Sequence, residues 1–299
     1  MTRSTRKPGR AECSLSAAIP GASTMLLMAA ILFFCLMPGC SSPLKLDANG
    51  APEAELPIVV MSAFPPELTN LRAETHIRDS CMVGGQLCHI GELRGVDVML
   101  ILSGIGIERS ASTTRALLDS HDVSAIVFSG IAGGINPGLN IGDVTIPGRW
   151  GHADGDINPR DFSFWLHADT AMLDVARKVA GSVTLDHCTA EGVCLENVPR
   201  IIIGGNAVSN SFFVDDAEYR ELLWDRFQAN AVDMETASVG RVAAKRGVPY
   251  IAFRSLSDLA GGGPGANEID VFFQLAADNA AAVVLAFLDA WAARTPSDT

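Results

Sequence analysis

Short apolar segments alternate with longer amphipathic segments from residue 56 to residue 293, and this alternation limits the possible folds more than any other feature of the sequence. Runs of strand length, such as LPIVVMSA at 56–63 and VDVMLILS at 96–103, precede segments with apolar residues at helical spacing. Alternating strands and helices predict a mostly parallel or mixed sheet with helices on both faces. We therefore expect an α/β fold, a single-domain three-layer sandwich, over residues 56–294.

The predicted elements can be placed along the chain. We expect strands at 56–63, 88–93, 96–103, 125–129, 143–147, 200–203, 231–234 and 248–256, and helices at 67–76, 107–120, 169–180, 216–227, 236–246 and 269–293. Arg94 and Gly95 should form a turn, and the segment GIAGG at 130–134 should close the strand that precedes it. Because ligands bind beyond the carboxyl ends of strands in such sheets, polar residues at those ends are the candidates for a site.

The first 55 residues have the composition of an export signal followed by a tether. Four basic residues precede the apolar run at 25–37, whose 13 residues are too few to span a membrane but suit a signal-peptide core. Gly39 and Cys40 then resemble the lipobox of bacterial lipoproteins, in which the cysteine becomes the lipidated first residue. We expect a lipoprotein signal peptide at 1–39, a flexible tether at 40–55 and a tail at 295–299. Ordinary secretion, an uncleaved anchor and a misassigned start codon remain alternatives.

Composition and charge restrict the possible partners. The 299 residues are 48% hydrophobic and 19% charged, which excludes a disordered chain, and the formal net charge is −12. Such a chain lacks the cationic field that a nucleic-acid backbone requires. We therefore expect no nucleic-acid partner, and membrane contact only through a lipid on Cys40 of an exported periplasmic or cell-surface protein.

Four cysteines remain beyond Cys40: Cys81, Cys88, Cys188 and Cys194. An even number in an oxidising compartment favours disulfides, and the local pairs, Cys81 with Cys88 and Cys188 with Cys194, are the simplest of three connectivities. Zinc is less favoured, because these spacings are wider than ligand spacing and no histidine pair follows. We expect neither a metal nor a cofactor.

Carboxylates stand beside the ends of several predicted strands. Glu67, Glu235 and Asp258 are the candidates, and an unpaired carboxylate next to an apolar strand is costly to bury unless it has a use. Two of them also have a structural interpretation, since Glu235 could support the following helix and Asp258 could cap a turn. The glycines of SGIG at 103–106 and of GIAGG could likewise serve close packing instead of ligand binding. The residues alone leave both interpretations open.

Four longer motifs point to a family. They are SGIGIERSAS at 103–112, GIAGGINPGLNIGDVTIP at 130–147, VDMETASVGRVAAKRGVP at 232–249 and FRSLSDLA at 253–260. Together they resemble the nucleoside phosphorylase superfamily and, within it, the methylthioadenosine/S-adenosylhomocysteine nucleosidases. The wording of the second motif is closest to plant bark storage proteins. The similarity extends from residue 57 to about residue 288, and it implies a usually oligomeric enzyme acting on purine nucleosides.

The resemblance also implies roles for individual residues. Asp258 matches the general acid that protonates purine N7, Glu67 matches the base that activates water, and Glu235 matches the carboxylate that holds the ribose 2′- and 3′-hydroxyls. The remaining positions that match the family's substrate-binding residues are Met234, Phe212, Phe213, Arg254, Ile131 and Gly133. Cleavage passes through an oxocarbenium-like ribose, so one carboxylic acid must be protonated and another ionised.

Two alternatives to hydrolysis remain at this stage. Phosphorolysis would need a cation for the phosphate, and Arg109 is an available one. A non-catalytic nucleoside-binding or storage-like protein is the other alternative, because Ile131 stands where the nucleosidases have Ser or Thr. The sequence thus predicts a purine nucleosidase that hydrolyses an adenosine-type nucleoside, with these two functions as competitors.

Overall fold

Twelve strands form one mixed sheet in the part of the chain that the computed structural model describes, namely residues 56–154, 160–161, 164–263 and 265–294. The strands are β1 (Ile58–Ser62), β2 (His76–Val83), β3 (Gln86–Leu93), β4 (Val96–Leu102), β5 (Ala125–Gly134), β6 (Val144–Ile146), β7 (Arg149–His152), β8 (Leu166–His167), β9 (Ile201–Ile203), β10 (Asn206–Ser209), β11 (Ala229–Asp233) and β12 (Tyr250–Asp258). The helices are α1 (Pro65–Ala73), α2 (Ile107–Ser120), α3 (Thr170–Val179), α4 (Ala217–Phe227), α5 (Thr236–Lys245) and α6 (Ile269–Ala292).

The long strand β5 lies at the branch point of the sheet. Its first half pairs in parallel with β1, residues 126–133 pair in parallel with β12, and its last two residues pair antiparallel with β11. The strand order along the main path is β2-β3-β4-β1-β5-β11-β10-β7-β8, and β12 continues through β6 to β9. The carboxyl ends of β5, β11 and β12 therefore meet in one region.

Helices cover both faces of the sheet, as the three-layer prediction requires. Alternate side chains of each strand point to opposite faces. Val60 and Val127 belong to the apolar core that includes residues of α1, α3 and α6, whereas Val59 and Ile126 belong to the core that includes residues of α2 and α5. A third cluster packs α4 against β10 and β11.

The helix α6 passes a length and composition test for a membrane span. It packs against the sheet through side chains such as Val284 and Phe287, which are fully buried in the core. Its apolar character is therefore explained by its place in the α/β domain.

Several predicted boundaries were wrong, and each error has a tertiary cause. The helix predicted at 67–76 ends at Ala73, and His76 begins β2, which pairs antiparallel with β3 as an edge strand. The segment GIAGG does not close the preceding strand but continues β5, because its first four residues pair with β12 and its last two pair with β11. Strands β2, β7, β8 and β10 were not predicted. The Arg94-Gly95 turn was correct, and both residues have positive φ.

The cysteines divide into a disulfide and a pair of thiols. Cys188 and Cys194 form the predicted disulfide, with their Cα atoms 3.9 Å apart. The predicted bridge between Cys81 and Cys88 is absent: the two residues lie opposite each other on β2 and β3 as free thiols. Burial, reinforced by the neighbouring Cys81, raises the pKa of Cys88 to about 12, which disfavours the thiolate that disulfide formation requires. The predicted signal peptide, Cys40, the tether and the tail lie outside the described residues.

Candidate active site

A cavity of about 200 Å³ lies at the carboxyl ends of β5, β11 and β12. Eight of the nine predicted catalytic and substrate-binding residues line it: Glu67, Ile131, Gly133, Phe212, Phe213, Met234, Glu235 and Asp258. The ninth, Arg254, lies behind the lining, where it contacts Glu67 and Glu235. The fold therefore brings residues that are up to 191 positions apart in the chain to one place.

Glu67 is held at the first turn of α1, directly beyond β1. Two prolines begin this helix, where their missing N–H groups are not needed. The Glu67 side chain folds back so that Oε2 accepts a hydrogen bond from the Ala63 N–H at 2.7 Å, while Oε1 accepts one from the Ile131 N–H at 2.8 Å. Burial raises the pKa of Glu67, and Arg254 and these backbone donors oppose that rise.

Gly130 makes the approach of Glu67 to β5 possible. A Cβ atom at this position would lie 2.3 Å from Oε1 of Glu67 and 2.3 Å from Nη1 of Arg254. Any larger residue would thus displace both charged side chains. The absence of a side chain here serves close packing around the site.

Arg254 is fully buried in the middle of β12 and contacts three carboxylates. Its Nη2 lies 2.7 Å from Oδ2 of Asp233 and 3.5 Å from Oε2 of Glu235, and its Nη1 lies 3.5 Å from Oε1 of Glu67. The guanidinium also lies 4.3 Å from the centre of the Phe128 ring. These contacts raise the pKa of Arg254 despite its burial, so it is a permanent cation.

Asp233 is the principal partner of Arg254, and sequence analysis assigned it no role. It is the last residue of β11 and accepts hydrogen bonds from the Thr236 N–H and the Ser209 hydroxyl. Its position in the quoted VDME motif, as a buried acid at a strand end, was the available signal. Asp233 orients the cation that stands between the other two acids.

Glu235 is 4% exposed and faces the cavity from the start of α5. Its Oε1 accepts a hydrogen bond from the Gly106 N–H at 2.8 Å, which ties it to the SGIG segment. Burial and the neighbouring Asp233 raise the pKa of Glu235 to about 8, and Arg254 partly opposes this rise. Glu235 is the N-cap residue of α5, as the structural alternative required, but its side chain makes no capping hydrogen bond and is directed to Gly106 instead.

Asp258 ends β12 and lines the same cavity. Its Oδ1 accepts hydrogen bonds from the Ala260 N–H at 2.8 Å and from Nδ2 of Asn267 at 3.4 Å, and the Ser257 hydroxyl donates to Oδ2 at 2.8 Å. Burial raises the pKa of Asp258 above its ordinary value, and the three donors oppose this effect. A buried carboxyl group of this kind can retain a proton to donate.

Two half-exposed phenylalanines complete the cavity. Phe212 and Phe213 are 51% and 48% exposed, and they follow β10 in a segment that leads to α4. Phe212 lies against Tyr219, with ring centroids 5.4 Å apart. Further apolar lining comes from Phe64, Ile105 and Ile269, which the sequence analysis did not select. Exposed aromatic rings at a cavity provide a flat apolar surface for a planar ligand.

The ionisable side chains that line the cavity are acids, and Ser257 adds a neutral hydroxyl. Among the described residues that line it, none is a lysine or an arginine. Within the described ranges, no group of three or more His, Cys, Asp or Glu side chains is placed to hold a metal ion. The site is therefore suited to proton transfer between carboxyl groups and a bound molecule, with Arg254 as a fixed internal cation.

Comparison with known proteins decides the family. The model of the phosphorylase superfamily matches residues 57–289, which is most of the chain and includes every residue of the cavity. The chain belongs to the phosphorylase superfamily. The resemblance predicted from the four motifs is thus confirmed.

Curated relatives align with this chain over nearly their whole length. The 5′-methylthioadenosine/S-adenosylhomocysteine nucleosidase of Geobacillus thermodenitrificans is 29% identical over 238 residues, covering 77% of this chain and 94% of the relative. The nucleosidase of the same name from Tolumonas auensis is 29% identical over 241 residues, covering 77% of this chain and 98% of the relative.

Solved structures of the superfamily have the same fold. A 5′-methylthioadenosine/S-adenosylhomocysteine nucleosidase of Neisseria meningitidis, in complex with methylthio-immucillin-A, superimposes with a TM-score of 0.67 at 24% identity, covering 78% of this chain and 98% of its own. A futalosine hydrolase of Helicobacter pylori superimposes with a TM-score of 0.66 at 25% identity, covering 78% and 97%. The predicted α/β sandwich of the phosphorylase superfamily is confirmed.

Proposed function

We propose that this protein hydrolyses the N-glycosidic bond of an adenosine-type nucleoside, of the methylthioadenosine or S-adenosylhomocysteine kind, to the free base and a ribose moiety. The observation that carries the proposal is the meeting of Asp258, Glu67 and Glu235 at one cavity, with a buried arginine between two of these acids. The curated relatives named above are nucleosidases with this substrate class.

Asp258 supplies the proton that the leaving base needs. A purine leaves poorly as an anion, so protonation of its imidazole nitrogen as the bond breaks lowers the barrier. The raised pKa of Asp258 favours the protonated form before the reaction. The donors from Ala260 and Ser257 then stabilise the carboxylate that remains.

Glu67 takes the proton from the attacking water. Its carboxylate must be ionised, and Arg254 together with the Ala63 and Ile131 N–H groups favours that form. Burial opposes them and raises the pKa of Glu67, which makes the carboxylate a stronger base. The negative charge also stabilises the oxocarbenium-like ribose that develops as the base departs.

Glu235 and the aromatic segment, residues 210–216 between β10 and α4, position the substrate. Glu235 presents its side chain to the cavity while the Gly106 N–H fixes one oxygen, which suits bonding to adjacent ribose hydroxyls. Phe212 and Phe213 offer their faces to the base, and Met234 lines the cavity beside Glu235. The apolar side chains of Phe64, Ile105 and Ile269 favour a thioether next to the ribose over a 5′-phosphate.

Water is favoured over phosphate as the nucleophile. A phosphate dianion needs cations, and the described lining contains no lysine or arginine. The one cation that the sequence offered, Arg109, is exposed and packs its side chain on Gly104 outside the lining. Arg254 is already engaged by three carboxylates.

A nucleoside panel with and without phosphate tests the proposal. The purified protein is incubated with methylthioadenosine, S-adenosylhomocysteine, adenosine and inosine, and free base and sugar products are measured. Free sugar in the absence of phosphate supports hydrolysis, whereas a sugar 1-phosphate that requires phosphate supports the phosphorylase alternative. Binding without release of base supports the storage-like alternative, which Ile131 in the cavity favours.

We also propose that the protein is an exported lipoprotein attached to a membrane through Cys40. The basic residues, the apolar run at 25–37 and Gly39-Cys40 support this proposal. A Cys40→Ser variant should appear in the soluble fraction while the unchanged protein stays with membranes, and equal distribution of both would refute it. The oligomeric state predicted from the resemblance stays a prediction, which light scattering can measure.

A further inference from the structure

Asn267 joins three parts of the chain at the edge of the cavity. Its Nδ2 donates to Oδ1 of Asp215 at 2.9 Å and to Oδ1 of Asp258 at 3.4 Å. Its Oδ1 accepts a hydrogen bond from the Ile269 N–H at 3.0 Å, at the first residue of α6. One amide side chain thus contacts the acid of the site, a residue of the aromatic segment and the start of a helix.

The bond to Asp215 concerns the aromatic segment. Asp215 lies three residues after Phe212, and its neighbour Asp216 caps α4 by accepting a hydrogen bond from the Tyr219 N–H. The same segment touches the chain that follows Asp258, because a Cβ atom on Gly261 would lie 2.4 Å from the Asp216 nitrogen. The two segments are in backbone contact, and Asn267 adds a polar link between them.

The hydrogen bond from Asn267 to Asp258 affects how readily Asp258 gives up its proton. An N–H donor at Oδ1 favours the carboxylate, which is the form that Asp258 has after it gives its proton to the base. The charged groups around this position are Glu268 on the same segment, Asp215 beyond Asn267, and Arg220 of α4 beside Glu268. The facing residue on β5 is the uncharged Gly133. Asn267 is thus placed to act on Asp258 as a neutral donor.

We propose that Asn267 is a positioning residue that links the placement of the Phe212–Phe213 segment over the base to the orientation of the acid Asp258. This inference rests on the proposed hydrolysis for its chemical part, whereas its structural part stands on the hydrogen bonds alone. Removing the amide should loosen the aromatic segment and leave the Asp258 carboxylate with one donor fewer.

Kinetics of three variants separate the roles of Asn267. Asn267→Ser retains a hydroxyl that can cap α6 but lacks the amide donor. It should lower kcat roughly tenfold and raise KM. Because the lost donor favoured the Asp258 carboxylate, the alkaline limb of the plot of kcat against pH should move to higher pH. Asp215→Ala removes the acceptor that links Asn267 to the aromatic segment and keeps the Asn267 donor to Asp258, so it should raise KM and leave that limb in place. Asn70→Ala removes a similar amide–carboxylate hydrogen bond, to Asp278 at 2.8 Å, between residues that do not line the cavity. It should change neither kcat nor KM and should leave the alkaline limb in place.

The shift of the alkaline limb distinguishes this role from a purely structural one. Loss of helix capping alone would lower thermal stability without moving the limb. If Asn267→Ser leaves both kcat and the limb unchanged while the unchanged protein is active, the link to Asp258 is refuted.

Hydrogen exchange tests the structural part without any activity. Backbone amides at 211–216 should exchange faster in Asn267→Ser and Asp215→Ala than in the unchanged protein, and at the same rate in Asn70→Ala. Equal exchange in all four proteins would overturn the link. If the unchanged protein cleaves no nucleoside but the exchange difference is present, the proposed hydrolysis fails while the link stands.

Discussion

Replacement of Arg254 by glutamine should expose how strongly the site depends on one buried cation. The variant retains an amide nitrogen at the place of the arginine Nε, which now donates to the Thr236 hydroxyl, and it loses the Nη1 contact to the Ile131 carbonyl. It removes the charge that faces Asp233 at 2.7 Å and two further carboxylates at 3.5 Å. The perturbation is therefore electrostatic more than steric.

The expected loss of stability follows from the burial of these groups. Arg254 and Asp233 are 0% and 6% exposed, and breaking a buried pair by removing one partner costs about 3–5 kcal/mol. Loss of the cation also raises the pKa values of Glu67 and Glu235 further above their ordinary values. The folded state then binds more protons than the unfolded state, so stability is present at low pH and is lost as pH rises. The free energy of unfolding that Arg254→Gln loses relative to the unchanged protein should therefore be larger at pH 8 than at pH 5.

Urea unfolding of the purified protein at pH 8 and pH 5 measures both effects. Arg246→Gln is the matched control, because Arg246 pairs with Asp119 at the surface, where 42% and 59% of the side chains are exposed. Such a surface pair contributes about 0–1 kcal/mol. Adding Asp233→Asn to Arg254→Gln should recover part of the loss. A deficit below about 1 kcal/mol at pH 8, or an equal deficit at both pH values, would refute the reasoning.

Three further predictions concern the other residues of the cavity. Asp258→Asn should lower kcat by about 10²–10⁴ with little change in KM, because the amide oxygen can still accept from the Ala260 N–H; base release measures this, and a loss below tenfold would contradict the acid role. Ile131→Thr should raise kcat roughly twofold to tenfold by adding a hydroxyl to the cavity, whereas Ile131→Val should not, and equal rates in both would argue against a missing hydroxyl. Because the pKa of Glu235 is raised to about 8, the free energy of unfolding of the native protein should fall as pH rises from about 4.5 to 8. In Glu235→Gln, urea unfolding should show a smaller fall between pH 5 and pH 8, the difference being at most about 4 kcal/mol. Parallel curves of unfolding free energy against pH for the two proteins would count against this.

The cluster around Arg254 also explains why the site can hold acids of different protonation. Glu67 contacts the cation and three backbone N–H groups, whereas Asp258 has neutral donors and a carboxylate neighbour, Glu268. Environments that differ in this way assign the base and the acid of a paired mechanism. The division of roles therefore follows from where β12 places each side chain: Arg254 in its middle and Asp258 at its end.

Part of the candidate active site could be predicted from the sequence. Acids beside apolar strands directed attention to Glu67, Glu235 and Asp258, and the four motifs supplied the family and the substrate-binding positions. Asp233 was missed although it stands in the quoted VDME motif. Its function depends on Arg254, 21 residues further on, and that contact exists only when β11 and β12 end beside the same cavity.

The amino-acid order by itself determined the α/β layers, because apolar periodicity is a local property and decides which face of each strand and helix is buried. Tertiary structure decided the rest. The glycine segment 130–134 became part of β5 by pairing with β12 and β11, and the edge strand β2 replaced the end of a predicted helix by pairing with β3. Cys81 and Cys88 stayed thiols, and Asn267 joined Asp215 to Asp258. These outcomes depend on burial and on contacts between segments distant along the chain, which local patterns do not encode.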